Sequence, residues 1–260
     1  MSFQSNNGIR YYQFQNLGDT LTQAVFTRVG GISPDPWAAL NLGGTVGDNP
    51  ERVRENRQLA LTALGCDPIS VYDVWQVHGV NVAIAEAPRP PETPHLQADV
   101  ILTNRPGIIL MMRFADCVPV LLHDPIHKVI GIAHAGWKGT VRGTVRIAVD
   151  AMQAHFGSSP GDLRAAIGPS IGPDHYEVGP EVVMQVRQAF RQNASRLLEE
   201  RTGAIHFDLW AANRLVLEQA GVNQIEISGL CTACHIEDWY SHRAEHGRTG
   251  RFGAIIALNA

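Results

Sequence analysis

Little in this chain points to a membrane, an export route or a polyanion. It has no run of the ~18 apolar residues that a spanning helix requires. The N-terminal "MSFQSNNGIRYYQFQ" carries neither the charged start nor the apolar stretch of a secretory leader. A cytoplasmic protein is expected. Charge of one sign is also lacking, since 21 Lys and Arg stand against 25 Asp and Glu for a net charge of −4. Without a basic excess, no nucleic-acid partner is expected. Four cysteines in 260 residues are too few for a disulfide scaffold, and in a reducing compartment they read as thiols or metal ligands. Repeats and low-complexity tracts are absent.

The composition that remains is that of an ordinary globule, 45% hydrophobic and 18% charged, long enough to bury a sizeable core. The proline-rich "APRPPETPH" at 87–95 reads as an exposed loop, because apolar segments continue on both sides of it. One domain over 1–260 is therefore expected. Helix signals are clear in "DNPERVRENRQLALTALG" (48–65), where Asn49 suits the cap, Pro50 the first turn and Gly65 the stop. Helices are also predicted over 141–157, from a start near Thr140, and over 179–192 and 208–221. "VYDVWQVHGVNVAIAE" (71–86) alternates and predicts strands with a turn near Gly79. Residues 108–113, 118–123 and 128–134, "EIS" and "GAIIAL" read as further strands. Such a mixture predicts a mixed α/β or α+β fold, with strand order left open.

The stretch "ADCVPVLLHDPIHKVIGIAHAGWKGT" (115–140) is the most informative. "DPIH" predicts a four-residue turn pairing Asp124 with His127. Counting outward in that register sets Cys117 opposite His134, with Cβ atoms roughly 4.5–5.5 Å apart. A thiolate and an imidazole so placed can share a zinc ion. They can equally form a nucleophile and its base, or be a buried thiol beside an incidental histidine. Beyond His134 the chain runs through small residues into a helix, where glycine admits close backbone approach and Lys138 adds charge, the pattern of an anion site and also of a plain tight turn. A catalytic zinc usually takes three protein ligands. Among eleven histidines, His78 stands out beside a glycine at the end of an apolar segment.

"VWQVHGVNV", "ADCVPVLLHD", "AHAGWKGT", "AAIGPSIGPDHYEVG", "WYSHRAEHGRTGRFG" and the N-terminal "FTRVGGISPDPWAALNLGGTVGDNPERVRENR" together resemble the YfiH-type laccase-domain family. These blocks occur in order and span nearly the whole chain. The family consists of zinc-dependent purine nucleoside phosphorylases formerly called multicopper polyphenol oxidases. The resemblance implies a single domain of mixed β-sheets in a sandwich covered by helices. It implies zinc held by His78, Cys117 and His134. It also implies phosphorolysis of adenosine, inosine, guanosine and methylthioadenosine, with secondary adenosine deaminase activity. Purine nucleosides and phosphate would then be the partners.

Within that resemblance, Asp116 is a candidate for proton exchange beside Cys117 and His134, and Lys138 for holding phosphate. Arg57 is a candidate phosphate or ribose contact, Arg243 and Arg251 are candidate anion contacts, and Gln76 and Asn41, the latter in a Gly-rich loop, are further candidate substrate contacts. Gln76, two positions before His78, shares its face if the segment is a strand. His242 stands where the family often has tyrosine.

Two tempting motifs are set aside. "CTACH" (231–235) matches the haem-attachment string, but no export signal accompanies it, so Cys231 and Cys234 are expected as core thiols with a redox pairing left open. A multicopper centre needs many more His and Cys ligands, so zinc is preferred over copper for one thiolate and two imidazoles. Two rival functions remain. One is a cysteine hydrolase or amidase using Cys117 and His134, linked to peptidoglycan precursor editing. The other is a binding module in which zinc is purely structural.

Overall fold

A computed structural model describes residues 2–259. The chain opens with an antiparallel meander of β1 (Ser2–Asn6), β2 (Ile9–Gln13) and β3 (Leu21–Phe26). Asn7 and Gly8 both take positive φ, 50° and 79°, as a two-residue hairpin turn of the mirrored type demands. Helix α1 (Pro50–Thr62) follows its sequence punctuation: Asn49 Oδ1 accepts the Glu51 N–H, and Gly65 turns left-handed beyond the end.

Residues 71–86 do not form the expected hairpin. They yield two short strands, β4 (Val71–Asp73) and β5 (Val82–Ile84), which enter different sheets. Between them the N–H groups of Val77, His78 and Gly79 are all taken by the Asp99 carboxylate. Those donors are lost to any ladder, and the segment leaves the sheet.

The central strands are β6 (Val100–Thr103), β7 (Ile109–Phe114), β8 (Val118–Asp124) and β9 (Val129–Ala135). The single helix expected over 141–157 is two helices, α2 (Trp137–Arg142) and α3 (Thr144–Phe156). Gly143, at φ 78°, divides them, so α2 begins three residues earlier than Thr140. Then come β10 (Arg164–Ile167), α4 (Pro180–Phe190), β11 (Leu198–Arg201), β12 (Ala204–Phe207), α5 (Leu209–Gln219), β13 (Gln224–Ile227) and β14 (Phe252–Leu258).

Two mixed six-stranded sheets result, ordered β1-β2-β3-β14-β7-β4 and β13-β10-β8-β9-β6-β5, with β11 and β12 as a separate pair. Alternation along each strand separates three apolar layers. Leu110, Met112 and Ile256 of the first sheet meet Leu121, Ile130 and Ile132 of the second in the middle of the sandwich. Met111 and Ile255 face the other way, against Ala60 and Leu61 of α1. Val120, Leu122 and Ala133 face α3 and α5 through Val145, Met152 and Leu217. Strands buried on both faces explain why 109–112, 118–122 and 254–258 read as unbroken apolar runs. Truncating one such residue, Leu121 for instance, is expected to cost about 2–5 kcal/mol. Mixed sheets in a helix-covered sandwich are what the resemblance implied. Among the described residues, no helix is long and apolar enough to cross a membrane.

Candidate active site

The β8–β9 hairpin differs in register from the sequence expectation. Asp124 pairs with Val129, so the loop is Pro125–Lys128, and His134 faces Pro119 in place of Cys117. Asp124 causes the shift: its Oδ1 accepts the N–H groups of Ile126 and His127, and its Oδ2 bonds His127 Nδ1. The acid therefore closes the loop from within the strand. The error is two residues, and because side chains alternate with a period of two, the faces are unchanged. Cys117, just before β8, still shares a face with His134.

Cys117, His134 and His78 offer one ligand atom each, all within 4.8 Å of one another. The two imidazole rings meet edge-on with centroids 4.8 Å apart. His134 is delivered by β9 and is nearly fully buried. His78 comes from the irregular crossing between β4 and β5, so the expectation of a strand there fails. Gln76 consequently does not share its face by strand alternation. Its side chain instead exchanges two hydrogen bonds with the backbone of Arg113, Nε2 donating and Oε1 accepting, and so continues the sheet where the chain has left it.

Two residues of the site adopt left-handed backbone, His78 at φ 56° and Asp116 at φ 77°. For non-glycine residues this is uncommon, and it persists only where the surroundings enforce it. Around His78 the enforcing group is Asp99, fully buried. Besides the three backbone N–H groups, Asp99 Oδ1 bonds His134 Nδ1 at 2.8 Å. That bond directs the other ring nitrogen, Nε2, toward Cys117 and His78. One carboxylate thus orients two of the three donors. Burial pushes the Asp99 carboxyl up, but His134 and the backbone donors bring it below its ordinary value.

Burial would likewise raise the Cys117 thiol, yet His134 and His78 overcome it and lower the thiol. His134 is displaced the opposite way, raised by Cys117 and Asp99 against its burial. Two imidazoles and one thiolate suit a borderline-soft divalent ion. Gly136 makes room for them, because a Cβ there would lie 2.7 Å from Cys117 Sγ and 3.1 Å from His78 Nδ1.

Around Asp116 the enforcing partners are Thr232 Oγ1, which donates to Oδ1 at 2.7 Å, and the Arg243 N–H, which donates to Oδ2 at 2.6 Å. The donor cluster opens onto a cleft of about 690 Å³, within the range of small-molecule sites. A contiguous cavity of about 190 Å³ runs past Lys138, Ile171, Tyr176 and Leu209. Arg57, Arg113, Arg243 and Arg251 line the larger cleft, and Asp116 is its one carboxylate among the described residues. A chain with net charge −4 has therefore gathered a local excess of cations.

Arg57 reaches the cleft from α1, donating through Nε to Leu42 O. Burial, reinforced by Arg113, lowers it to about 10. Arg251 donates to the carbonyls of Thr249 and Gly250, and Arg243 to Glu177 O. Gln76 lines the cleft and Lys138 the adjoining cavity. Asn41 does not reach either. It is fully buried, and its amide is spent on Gly43, Asp48 and the Arg251 N–H. Its part is to fix the loop and to seat Arg251.

Sequence reasoning missed Asp99, Arg113 and Trp75. Arg113 ion-pairs with Asp73, which also holds Arg89 and His95 of the proline-rich loop. Burial pushes the Asp73 carboxyl up, and Arg113 and Arg89 more than reverse it. Trp75 stands half exposed in the cleft wall.

Residues 22–259 match the family described as multi-copper polyphenol oxidoreductase laccase. A purine nucleoside phosphorylase of Deinococcus radiodurans is 42% identical over 235 residues, 90% of this chain and 88% of its own. The purine nucleoside phosphorylase YfiH of Escherichia coli is 35% identical over 236 residues, 89% of this chain and 91% of its own. Among solved structures, YlmD from Geobacillus stearothermophilus superposes with a TM-score of 0.92 at 32% identity, covering 99% of both chains. A Bacillus licheniformis protein named YfiH gives 0.91 at 33% identity, again covering 99% of both. A match of this length, backed by relatives that align over nearly their whole chains, means that the protein belongs to the multi-copper polyphenol oxidoreductase laccase family, alongside YfiH and YlmD.

Proposed function

We propose that this protein is a zinc-dependent purine nucleoside phosphorylase. It cleaves inosine, adenosine, guanosine and methylthioadenosine with phosphate to the free base and ribose 1-phosphate, or methylthioribose 1-phosphate. The observation that carries the reading is the charge of the cleft: four arginines and a single carboxylate beside a Cys-His-His donor cluster. The purine nucleoside phosphorylases among its relatives support the same reaction.

His78, Cys117 and His134 would hold the ion, which supplies Lewis acidity and positive charge at the floor of the cleft. Phosphate is dianionic, and Arg57 meets it with both terminal nitrogens uncommitted to other described residues. Arg251 in the same cleft and Lys138 in the adjoining cavity add charge. Trp75 and Tyr176 offer flat faces to a purine ring. As the N-glycosidic bond breaks, the departing base needs a proton, and Asp116 is the acid within the cleft that can exchange one. The same residue would serve adenosine deamination.

A second reading has an observation in its favour. Cys117, His134 and Asp99 form a thiol, imidazole and carboxylate in series, the arrangement of a cysteine hydrolase. His78 argues against it, since a nucleophile–base pair needs no third donor. Incubation with inosine decides: phosphorolysis yields hypoxanthine and ribose 1-phosphate only when phosphate is supplied. Release of free ribose without phosphate would overturn the proposal. So would activity that survives chelation but not thiol alkylation.

A further inference from the structure

The motif refused as a haem site proves to be half of another cluster. Cys231 is buried as expected, but Cys234 is exposed, so the pair is not simply two core thiols. Both are unpaired. Opposite them lies the turn that carries Asp174 and His175, 56 positions earlier for Cys231 and His175. One ligand atom from each of the four residues falls within 4.8 Å of all the others. Cys234 Sγ is 3.1 Å from Asp174 Oδ2 and 3.4 Å from His175 Nδ1. Cys231 Sγ is 3.8 Å from the same nitrogen, which is 3.1 Å from Asp174 Oδ2. Donors about 2.0–2.3 Å from a central zinc stand roughly 3.3–3.8 Å from one another in a tetrahedron, and the four separations bracket that range.

The surroundings are built for this cluster. The Gly172 N–H donates to Cys231 Sγ at 3.2 Å, which fixes where that sulfur sits. A Cβ on Gly172 would stand 2.6 Å from Asp174 Oδ1 and 3.1 Å from Cys231 Cβ. The two cysteines have the C-x-x-C spacing that wraps one ion.

We infer that Asp174, His175, Cys231 and Cys234 form a second, structural metal site for a zinc-type divalent cation, sharing no residue with the cluster at His78, Cys117 and His134. With four protein donors it is closed, and its work is to clamp two loops. One loop continues into Tyr176, which lines the cleft. The other carries Thr232, whose hydroxyl holds Asp116. The clamp thus braces the acid of the active site from behind, whatever reaction that site performs.

Metal counting on the purified, untagged protein tests this. Wild type should carry two zinc ions per chain, and Cys117→Ser and the double variant His175→Ala/Cys234→Ser one each. Cobalt titration of apo Cys117→Ser gives an independent reading that leaves the four donors intact. It should produce tetrahedral ligand-field bands with thiolate charge transfer, which two histidines alone cannot supply. If the double variant fails to fold, the cobalt spectrum decides. The inference is overturned if folded Cys117→Ser shows no thiolate-to-cobalt band. It is equally overturned if wild type holds a single zinc that Cys117→Ser removes, or if mass analysis of the reduced-purified chain finds Cys231 and Cys234 joined as a disulfide.

Discussion

The two donor clusters among the described residues of this protein use similar atoms in opposite ways. His78, Cys117 and His134 lie at the floor of an arginine-lined cleft, three donors with space on the fourth side. Asp174, His175, Cys231 and Cys234 lie near the surface as four donors facing inward. The first is oriented by a buried carboxylate, Asp99, which fixes both a ring and a strained backbone turn. The second is oriented by short-range turn geometry and one backbone N–H. Incomplete coordination beside a charged pocket suits chemistry, whereas complete coordination between loops suits bracing.

The sharpest way to separate them is Gly136→Ala. Its added Cβ would overlap Cys117 Sγ and crowd His78, while touching nothing of the surface cluster. Phosphorolysis should fall by at least ~100-fold, the scale expected when a catalytic group is displaced. Zinc content should fall by one ion per chain, read by metal analysis beside circular dichroism. A Gly136→Ala enzyme with full zinc and wild-type turnover would break the comparison at its root.

Next in size is Asp99→Ala, which leaves all three ligands present but removes what aims them. Loss of such an orienting carboxylate typically lowers metal affinity about 10–100-fold. A competition titration with a chelator should show one ion released early and the other unchanged.

Asp99 also shows where sequence reading stopped. In "QADV" it is one acid before an apolar strand, and nothing local says that its partners are three backbone N–H groups some twenty positions earlier and a histidine on another strand. The same residue defeated the reading of 71–86, whose alternation is real but whose ladder donors were taken by a carboxylate. Elements punctuated locally, such as α1 with Asn49, Pro50 and Gly65, were legible because caps and breakers act within one turn. The convergence of Cys117 with His134 was legible despite a register error, because a shift of two preserves the face. Strand order was not, since β14 pairs with β3 and β7 across most of the chain. Nor was the pairing of Asp174 and His175 with Cys231 and Cys234, which only the tertiary fold brings together.

Smaller effects are expected from the cations that set the open cluster apart. Arg57→Ala removes a half-buried guanidinium and should raise KM for phosphate about 10–100-fold, as loss of a charged hydrogen bond worth ~1.5–3 kcal/mol implies. Lys138 is exposed, so water and salt screen it, and Lys138→Ala should raise the same KM only about 2–5-fold. An unchanged KM in Lys138→Ala would remove it from the phosphate site.

The mildest test concerns pH and the loop that seats Arg251. Asp48 Oδ2 accepts hydrogen bonds from Ser33 Oγ and Asn41 Nδ2, and Oδ1 accepts the Asn49 N–H. Burial pushes its carboxyl up, but those bonds outweigh it and hold the folded value below the ordinary one. A carboxyl depressed by folding stabilises fully above its unfolded pKa of about 3.9, and that contribution is lost as pH falls through the lower folded value. Asp48→Asn keeps an acceptor for two donors but orphans the Asn49 N–H, a cost of about 1 kcal/mol at neutral pH. Urea unfolding from neutral to acid should therefore show the two proteins converging below pH ~4. The acid limb of the variant should be the flatter. Because Asn41 links Asp48 to Arg251, the variant should also bind phosphate slightly less well while both metal ions stay in place, which confines the loss to the cleft wall of the open cluster.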